Sequence, residues 1–261
     1  MRGIILAAGR GSRLGGLTDD RPKCLTPLGG RPLLHRQVEA LRRAGIDRLL
    51  VVGGYHVEQL HDERWTTVTA PYWYRTNMVR SLQTAHSWLR AEDCVVSYGD
   101  IVYSSATVRE LVRSAAPLAI SYDPNWLRLW RRRFDDPLAD AENFRRSPGQ
   151  LLLQIGGHLT TTGEAHGQYM GLLRIGPAGW AEIERLLGSL PAAQADRLDM
   201  TTMLQLLVEQ GLPIRTVPCV GDWVEVDSAS DLALYEQMLR AGELALEQPN
   251  SSIGREADFH V

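Results

Sequence analysis

The sequence predicts an α/β protein with a mostly parallel sheet and helices on both faces. Short apolar runs rich in β-branched residues alternate with helical patterns through the first half, which is the signature of such a sheet. Several runs also end in glycine-bearing turns, and ligands on sheets of this kind bind beyond the carboxyl ends of the strands. In chain order, Ile4–Leu6 reads as a buried strand. Leu33–Ala44 follows as a helix, with Leu34, Val38 and Leu41 at helical spacing and Gly45 stopping it. Leu49–Val52 is a strand leading into Gly53-Gly54, and Thr66–Thr69 a weaker strand. Val79–Leu89 reads as a helix, Cys94–Tyr98 as a strand ending in Gly99-Asp100, Val108–Val112 as part of a helix and Leu118–Tyr122 as a strand.

The second half changes character. Pro124–Pro148 is charged and aromatic without a clean period, and reads as an insertion over the sheet. Leu151–Ile155 and His158–Thr162 flank Gly156-Gly157, a dipeptide that favours a two-residue hairpin turn. Tyr169–Ile175, Ile214–Val217 and Trp223–Val226 read as strands, with helices near Trp180–Leu187, Met203–Glu209 and Leu232–Leu246. The expected organisation is a single domain over 1–247, with 124–150 as an acceptor-side insertion and a flexible polar tail at 248–261.

Composition excludes several classes. With 44% hydrophobic and 23% charged residues, the 261-residue chain has the make-up of a globular protein, neither disordered nor collagenous. A net charge of -3 lacks the basic footprint of a nucleic-acid binder. No apolar run approaches the ~20 residues of a membrane span, so no membrane partner is expected. Cys24, Cys94 and Cys219 are odd in number and lack metal-type spacing, which points to a reducing cytoplasm. Of the 28 basic residues, 27 are arginine and one, Lys23, is lysine. Arginine and lysine interchange on a solvated surface, but not where a compact ammonium is required.

That lysine closes the strongest motif in the chain, Leu6-Ala7-Ala8-Gly9-Arg10-Gly11-Ser12-Arg13-Leu14 followed by Pro22-Lys23. Gly9 and Gly11 let backbone N–H groups turn toward a ligand, and the small Ala7 and Ala8 let a flat base approach the main chain. Arg13 and Lys23 offer cationic contacts for a polyphosphate. The Walker A pattern is absent, and the dinucleotide fingerprint lacks its third glycine because Leu14 stands there. Asp100 and Asp227 each follow a predicted strand, and two carboxylates from different strands suit Mg²⁺, which prefers oxygen ligands and bridges phosphates. Alternation along Trp223–Val226 puts Glu225 on the same side as Asp227, as a supporting group or occasional ligand. In the insertion, Trp126 and Trp130 share a helix face with Asp123 nearby. Aromatic faces with a carboxylate suit an ammonium group, whereas Arg131, Arg132 and Arg133 suit a phosphate or phosphonate. An amphipathic helix whose tryptophans pack on the sheet fits the same spacing. Gln168 is expected in a pocket wall.

The stretch Leu6–Leu34 resembles the sugar-phosphate and alcohol-phosphate nucleotidyltransferases, a family with a Rossmann-like α/β fold. Tyr74–Leu82, Ser97–Tyr103 and Trp223–Asp227 are similar to the phosphocholine and phosphonate cytidylyltransferase branch, and the resemblance runs from Met1 to about Leu239. It implies that Leu6, Ala7, Ala8, Gly9, Arg10, Gly11, Ser12, Arg13, Lys23, Thr76, Asn77, Ser81, Gly99 and Asp100 line the nucleotide. Lys23 and Arg13 would be catalytic, and Asp100 and Asp227 would hold Mg²⁺. Asp123, Trp126, Trp130, Arg133, Gln168 and Glu225 would face the acceptor. The expected activity is in-line transfer of CMP from CTP, or of a nucleotide from another triphosphate, to a small phosphonate or phosphate-alcohol, with release of pyrophosphate. Phosphocholine, 2-aminoethylphosphonate and hydroxyalkylphosphonates all fit as acceptors, and a homodimer is compatible. The competing readings are a hexose-1-phosphate thymidylyl- or uridylyltransferase, a molybdopterin-type guanylyl- or cytidylyltransferase, which the insertion disfavours, and a catalytically silent nucleotide-binding regulatory module.

Overall fold

The apolar run at the N-terminus does form a buried central strand. In a computed structural model of the chain, which describes residues 1–247, β1 (Arg2–Ala7) lies in a seven-stranded sheet. Its flanks are β4 (Leu49–Gly53) and β6 (Cys94–Tyr98), both parallel to it. Before β4 come a small ribbon, β2 (Pro27–Leu28) with β3 (Arg31–Pro32), and the helix α1 (Leu33–Arg43). Gly45 adopts φ +86° and ends α1, while Ile46 N–H donates to the Leu41 carbonyl at 3.0 Å and Gly45 N–H to the Arg42 carbonyl at 2.9 Å. This left-handed cap satisfies carbonyls that a bare helix end would strand.

β5 (Thr66–Thr69) pairs outside β4, followed by α2 (Met78–Gln83) and α3 (His86–Ala91), the predicted Val79–Leu89 helix broken at Thr84-Ala85. After β6 come β7 (Ile101–Val102), α4 (Ser105–Val112), β8 (Leu118–Asp123) and α5 (Trp126–Arg133). Then follow β9 (Glu142–Arg146), β10 (Leu152–His158), β11 (Gln168–Ile175), α6 (Pro177–Ser189), α7 (Ala192–Arg197) and α8 (Met200–Glu209). β12 (Ile214–Pro218), β13 (Val224–Glu225) and α9 (Ala229–Arg240) complete the described chain. The sheet order is β12-β8-β11-β6-β1-β4-β5, and only β11 runs against its neighbours. The expected mixed, mostly parallel sheet flanked by helices is therefore present.

Alternation along β1 divides the core. Ile5 and Ala7 join α1, α4 and α5 side chains such as Leu34, Val38, Leu111 and Trp126 on one face. Ile4 and Leu6 join Leu82, Leu89, Trp180, Ile183 and Leu204 on the other. Successive strand residues point to opposite faces, so a fully apolar run is what a doubly covered strand requires.

Three expectations are corrected. Gly156-Gly157 is not a hairpin turn: both residues have positive φ inside β10, where they shift its register against β9. The chain reverses instead at Ser147–Gln150, where Gln150 N–H donates to the Ser147 carbonyl at 3.0 Å. A glycine pair serves a bulge as readily as a turn, because both need positive φ. The segment read as irregular after Pro124 carries α5 and β9. The final helix stops at Arg240, with Gly242 at φ +71°, rather than reaching Leu246. The tail at 248–261 lies outside the described residues.

The strand ends that concern function meet through glycines. Gly99 N–H donates to the Leu6 carbonyl at 2.9 Å, and a Cβ at Gly99 would stand 2.7 Å from that oxygen and 3.2 Å from Ala7 Cα. Backbone cannot retreat cheaply inside a sheet, so Gly99→Ala is expected to cost about 1–3 kcal/mol. A lower chemical-denaturation midpoint would show this cost, and an unchanged midpoint would rule out the close approach.

Candidate active site

The ends of β1 and β6 open onto a cleft of about 270 Å³ lined by Leu6, Ala7, Gly9, Gly11, Ser12, Arg13, Lys23, Cys24, Met78, Tyr98, Gly99, Asp100 and Asp227. Gly11, at φ +72°, leaves room for the Lys23 stem: a Cβ there would meet Lys23 Cβ at 2.7 Å. Beyond β6, β7 pairs antiparallel with β13, Ile101 opposite Glu225, and Val226 N–H donates to the Asp100 carbonyl at 3.0 Å. This short ribbon carries Asp100, Glu225 and Asp227 to one place, with one carboxylate oxygen from each lying within 4.8 Å of the others.

Lys23 sits in the middle of this group. Its ammonium donates to Asp100 Oδ2 at 2.6 Å and to Asp227 Oδ1 at 2.7 Å, and Arg13 donates to the same Asp227 oxygen at 3.1 Å. Burial alone would lower the Lys23 pKa, but the two carboxylates outweigh it and hold the ammonium above the ordinary lysine value. Burial also works against the Asp227 carboxylate, yet Lys23 and then Arg13 hold it below the usual range. Glu225 moves the other way: burial, then the charges of Asp227 and Asp100, push it up to about 8. Asp100 Oδ1 is buried without a hydrogen-bond partner. An all-oxygen donor set with one orphaned, buried carboxylate oxygen fits a hard divalent cation.

The rear of the cluster is fixed by α9 and α5. Ser228 and Asp231 form a capping box, and Asp231 Oδ2 accepts from the backbone N–H of Asp227 at 3.1 Å and of Ser228 at 2.9 Å. Arg133, whose side chain is 1% exposed, donates its Nε to Asp231 Oδ1 at 3.0 Å and lies 3.5 Å from Glu225. Its guanidinium lies about 5.0 Å from the Trp130 and Phe134 ring centres.

The expected nucleotide residues are thus partly gathered. Leu6, Ala7, Gly9, Gly11, Ser12, Arg13, Lys23, Gly99 and Asp100 line the cleft, whereas Ala8, Arg10, Thr76, Asn77 and Ser81 do not. Arg10 points to Asp19, at 3.5 Å, and over the Tyr55 ring. Thr76 donates to the Tyr72 carbonyl at 2.9 Å, Asn77 caps α2 and donates to the Arg197 carbonyl at 3.1 Å, and Ser81 and Ala8 are buried.

The residues expected to face the acceptor lie outside the lining of this cleft. Trp126 and Trp130 pack in the core, and Asp123 accepts from the Trp223 indole at 3.0 Å, so they form no open ammonium box. Gln168 is buried with its amide spent on the Glu142 backbone, and Arg133 is spent on Asp231 and Glu225. Met78, Tyr98 and Cys24 line the cleft without having been singled out. Met78 and Tyr98 lie inside the quoted motifs, and their places two or fewer residues from Thr76 and Asp100 were the available signal. Asp231 also had one, since Ser228-x-x-Asp231 before an apolar period marks a helix start.

A glycine-rich loop after the first strand, a lysine beside it and two aspartates thus meet at one cleft, and similarity to known proteins makes the chain a nucleotidyltransferase. The chain belongs to the MobA-like NTP transferase domain family, which it matches over residues 3–154. It is 33% identical over 249 residues to the CTP:phosphoglutamine cytidylyltransferase of Campylobacter jejuni, covering 89% of this chain and 98% of that protein. Over 127 residues it is 34% identical to the CMP-5'-(3-aminopropyl)phosphonate synthase of Streptomyces rubellomurinus, covering 46% of this chain but 20% of that protein. The inositol-1-phosphate CTP transferase of T. maritima shares the fold, with a TM-score of 0.72 at 19% identity, covering 94% of this chain and 97% of that one.

Removing Asp231 would leave the Arg133 guanidinium buried without its main partner. Asp231→Ala is expected to destabilise the fold by about 3–5 kcal/mol. Urea denaturation checks this, and a loss below about 1 kcal/mol would mean that the pair carries no such strain.

Proposed function

We propose that this enzyme transfers CMP from CTP to a small phosphate- or phosphonate-bearing acceptor, releasing pyrophosphate. The observation that carries the reading is the convergence of Lys23 with Asp100 and Asp227 at the lip of the glycine-rich loop. The cytidylyl preference is supported by the full-length similarity to the Campylobacter jejuni enzyme and the partial one to the Streptomyces protein, both of which carry a cytidine nucleotide in their names.

In this reading an anionic acceptor oxygen attacks the α-phosphorus of CTP, a new P–O bond forms, and the bond to the β-phosphate oxygen breaks. Such chemistry needs little covalent help, so alignment and charge neutralisation dominate. The backbone of Gly9–Ser12 cradles the triphosphate, and Arg13 neutralises the departing pyrophosphate. Lys23 faces the attacking oxygen and the transferring phosphoryl group as a point charge. Asp100 and Asp227, with Glu225 beside them, would hold Mg²⁺, which when bound supplies positive charge to the phosphates. Trp126 and Trp130 serve as core packing, and Tyr98 lines the cleft beside Asp100.

Two experiments test this. Pyrophosphate release, measured for four nucleoside triphosphates against phosphocholine, 2-aminoethylphosphonate, a hydroxyalkylphosphonate, phosphorylated glutamine and glucose-1-phosphate, should be fastest in the CTP row with a non-sugar acceptor. Fastest release with UTP or dTTP and glucose-1-phosphate would overturn the assignment, and no release in any well would favour a silent binding module. Separately, Lys23→Arg is expected to lower kcat by about 100-fold or more while changing CTP affinity by less than about threefold, because a planar fork cannot stand in for the ammonium. Turnover close to the unchanged enzyme would remove Lys23 from the chemistry.

A further inference from the structure

Lys23 holds one oxygen of each of two carboxylates in the cluster that could bind a cation. Its two ion pairs, at 2.6 and 2.7 Å, point into the gap enclosed by the three carboxylates. A divalent cation takes its oxygen ligands at about 2.1 Å for Mg²⁺, closer than the ammonium does, so a cation drawing on Asp100 Oδ2 and Asp227 Oδ1 competes with the ammonium for those oxygens. The lysine side chain is 13% exposed, whereas Arg13, the other cation on Asp227, is 69% exposed and correspondingly screened by solvent. The stem of Lys23 is held against Gly11, with a Cβ there 2.7, 2.9 and 3.0 Å from Lys23 Cβ, Cγ and Cδ. An ammonium released from the carboxylates therefore remains beside the glycine-rich loop, within the lining of the cleft.

We propose that Lys23 is the resident counter-cation of the Asp100–Glu225–Asp227 cluster, and that loading a divalent cation displaces its ammonium toward the bound phosphates. The proposal rests on the reading of that cluster as the cation site. It makes one residue serve twice. Before loading, the ammonium offsets the repulsion among three clustered carboxylates. After loading, the same charge is free for the transferring phosphoryl group, so the lysine becomes available only when the site is filled.

The test is Mn²⁺ binding by titration calorimetry without nucleotide. Lys23→Met, and independently Lys23→Gln, should bind Mn²⁺ about tenfold or more tightly than the unchanged protein, because the competitor is gone. Arg13→Met also removes one positive charge near Asp227, but should gain less than about threefold. Screening of the exposed Arg13 makes its gain small under a change of field as well, so the ammonium signal of Lys23 separates field from direct competition. Lysine occurs once in the chain, so protein labelled with ¹⁵N-lysine has a single side-chain ammonium signal. That signal should move on Mg²⁺ addition, in a saturable manner. Equal or weaker Mn²⁺ binding in Lys23→Met and Lys23→Gln, with the unchanged protein still binding, overturns the exchange and leaves the cation site standing. Failure of all four proteins to take up Mn²⁺ overturns both.

Discussion

The architecture around the cleft depends on one buried ammonium placed between two carboxylates far away in sequence. Lys23 follows the first strand, Asp100 lies 77 residues on and Asp227 another 127 beyond that. Each of the three charges is largely shielded from water, which makes pairing favourable for all of them. Together they tie the loop after β1 to the ends of β6 and β13. The close backbone approach at Gly99, the room left at Gly11 and the two-residue pairing of β7 with β13 are the local conditions for that meeting.

Charge also acts on the cluster from behind. Asp231 accepts the backbone N–H of Asp227 and Ser228, and Arg133 of α5 neutralises Asp231. The segment between β8 and β11 thereby reaches the acidic cluster without lining the cleft itself. It sends one arginine inward, flanked by Trp130 and Phe134. Those aromatic rings do bind a cation, but the cation belongs to the chain.

This arrangement explains what was legible in the sequence and what was not. Ile4–Leu6, Leu49–Val52 and Cys94–Tyr98 were readable because strands covered on both faces must be continuously apolar. An aspartate after a strand is more often a cap or turn residue, and Asp100 and Asp227 stood out through the Gly99-Asp100 context, the Trp223-x-Glu225-x-Asp227 frame and the family resemblance. The tryptophans of α5 misled because cation–π recognition and core packing demand the same residue types at the same helical spacing, and burial is decided by partners that local pattern does not contain. Gly156-Gly157 misled for a similar reason, since positive φ serves a turn and a bulge alike. Asn77 and Thr76 belong to a segment read through family resemblance, and their side chains are taken up by the α2 cap and a turn. Resemblance marks the segment; which of its side chains face the ligand is a matter of geometry.

The drift of the basic residues to arginine now has a physical boundary. At 27 positions a guanidinium suffices, and at several of them, Arg133 above all, its fork is what the partner carboxylate uses. Lys23 must approach two carboxylates within 2.7 Å from a stem lying against a glycine, in a gap that a planar five-donor group would overfill. A compact ammonium on a flexible stem meets that constraint, and it can also leave the gap by rotation of its last bonds. A guanidinium held by paired hydrogen bonds would leave less readily. The lysine is therefore explained by the two things asked of it in one place: to neutralise buried carboxylates, and to be able to let them go.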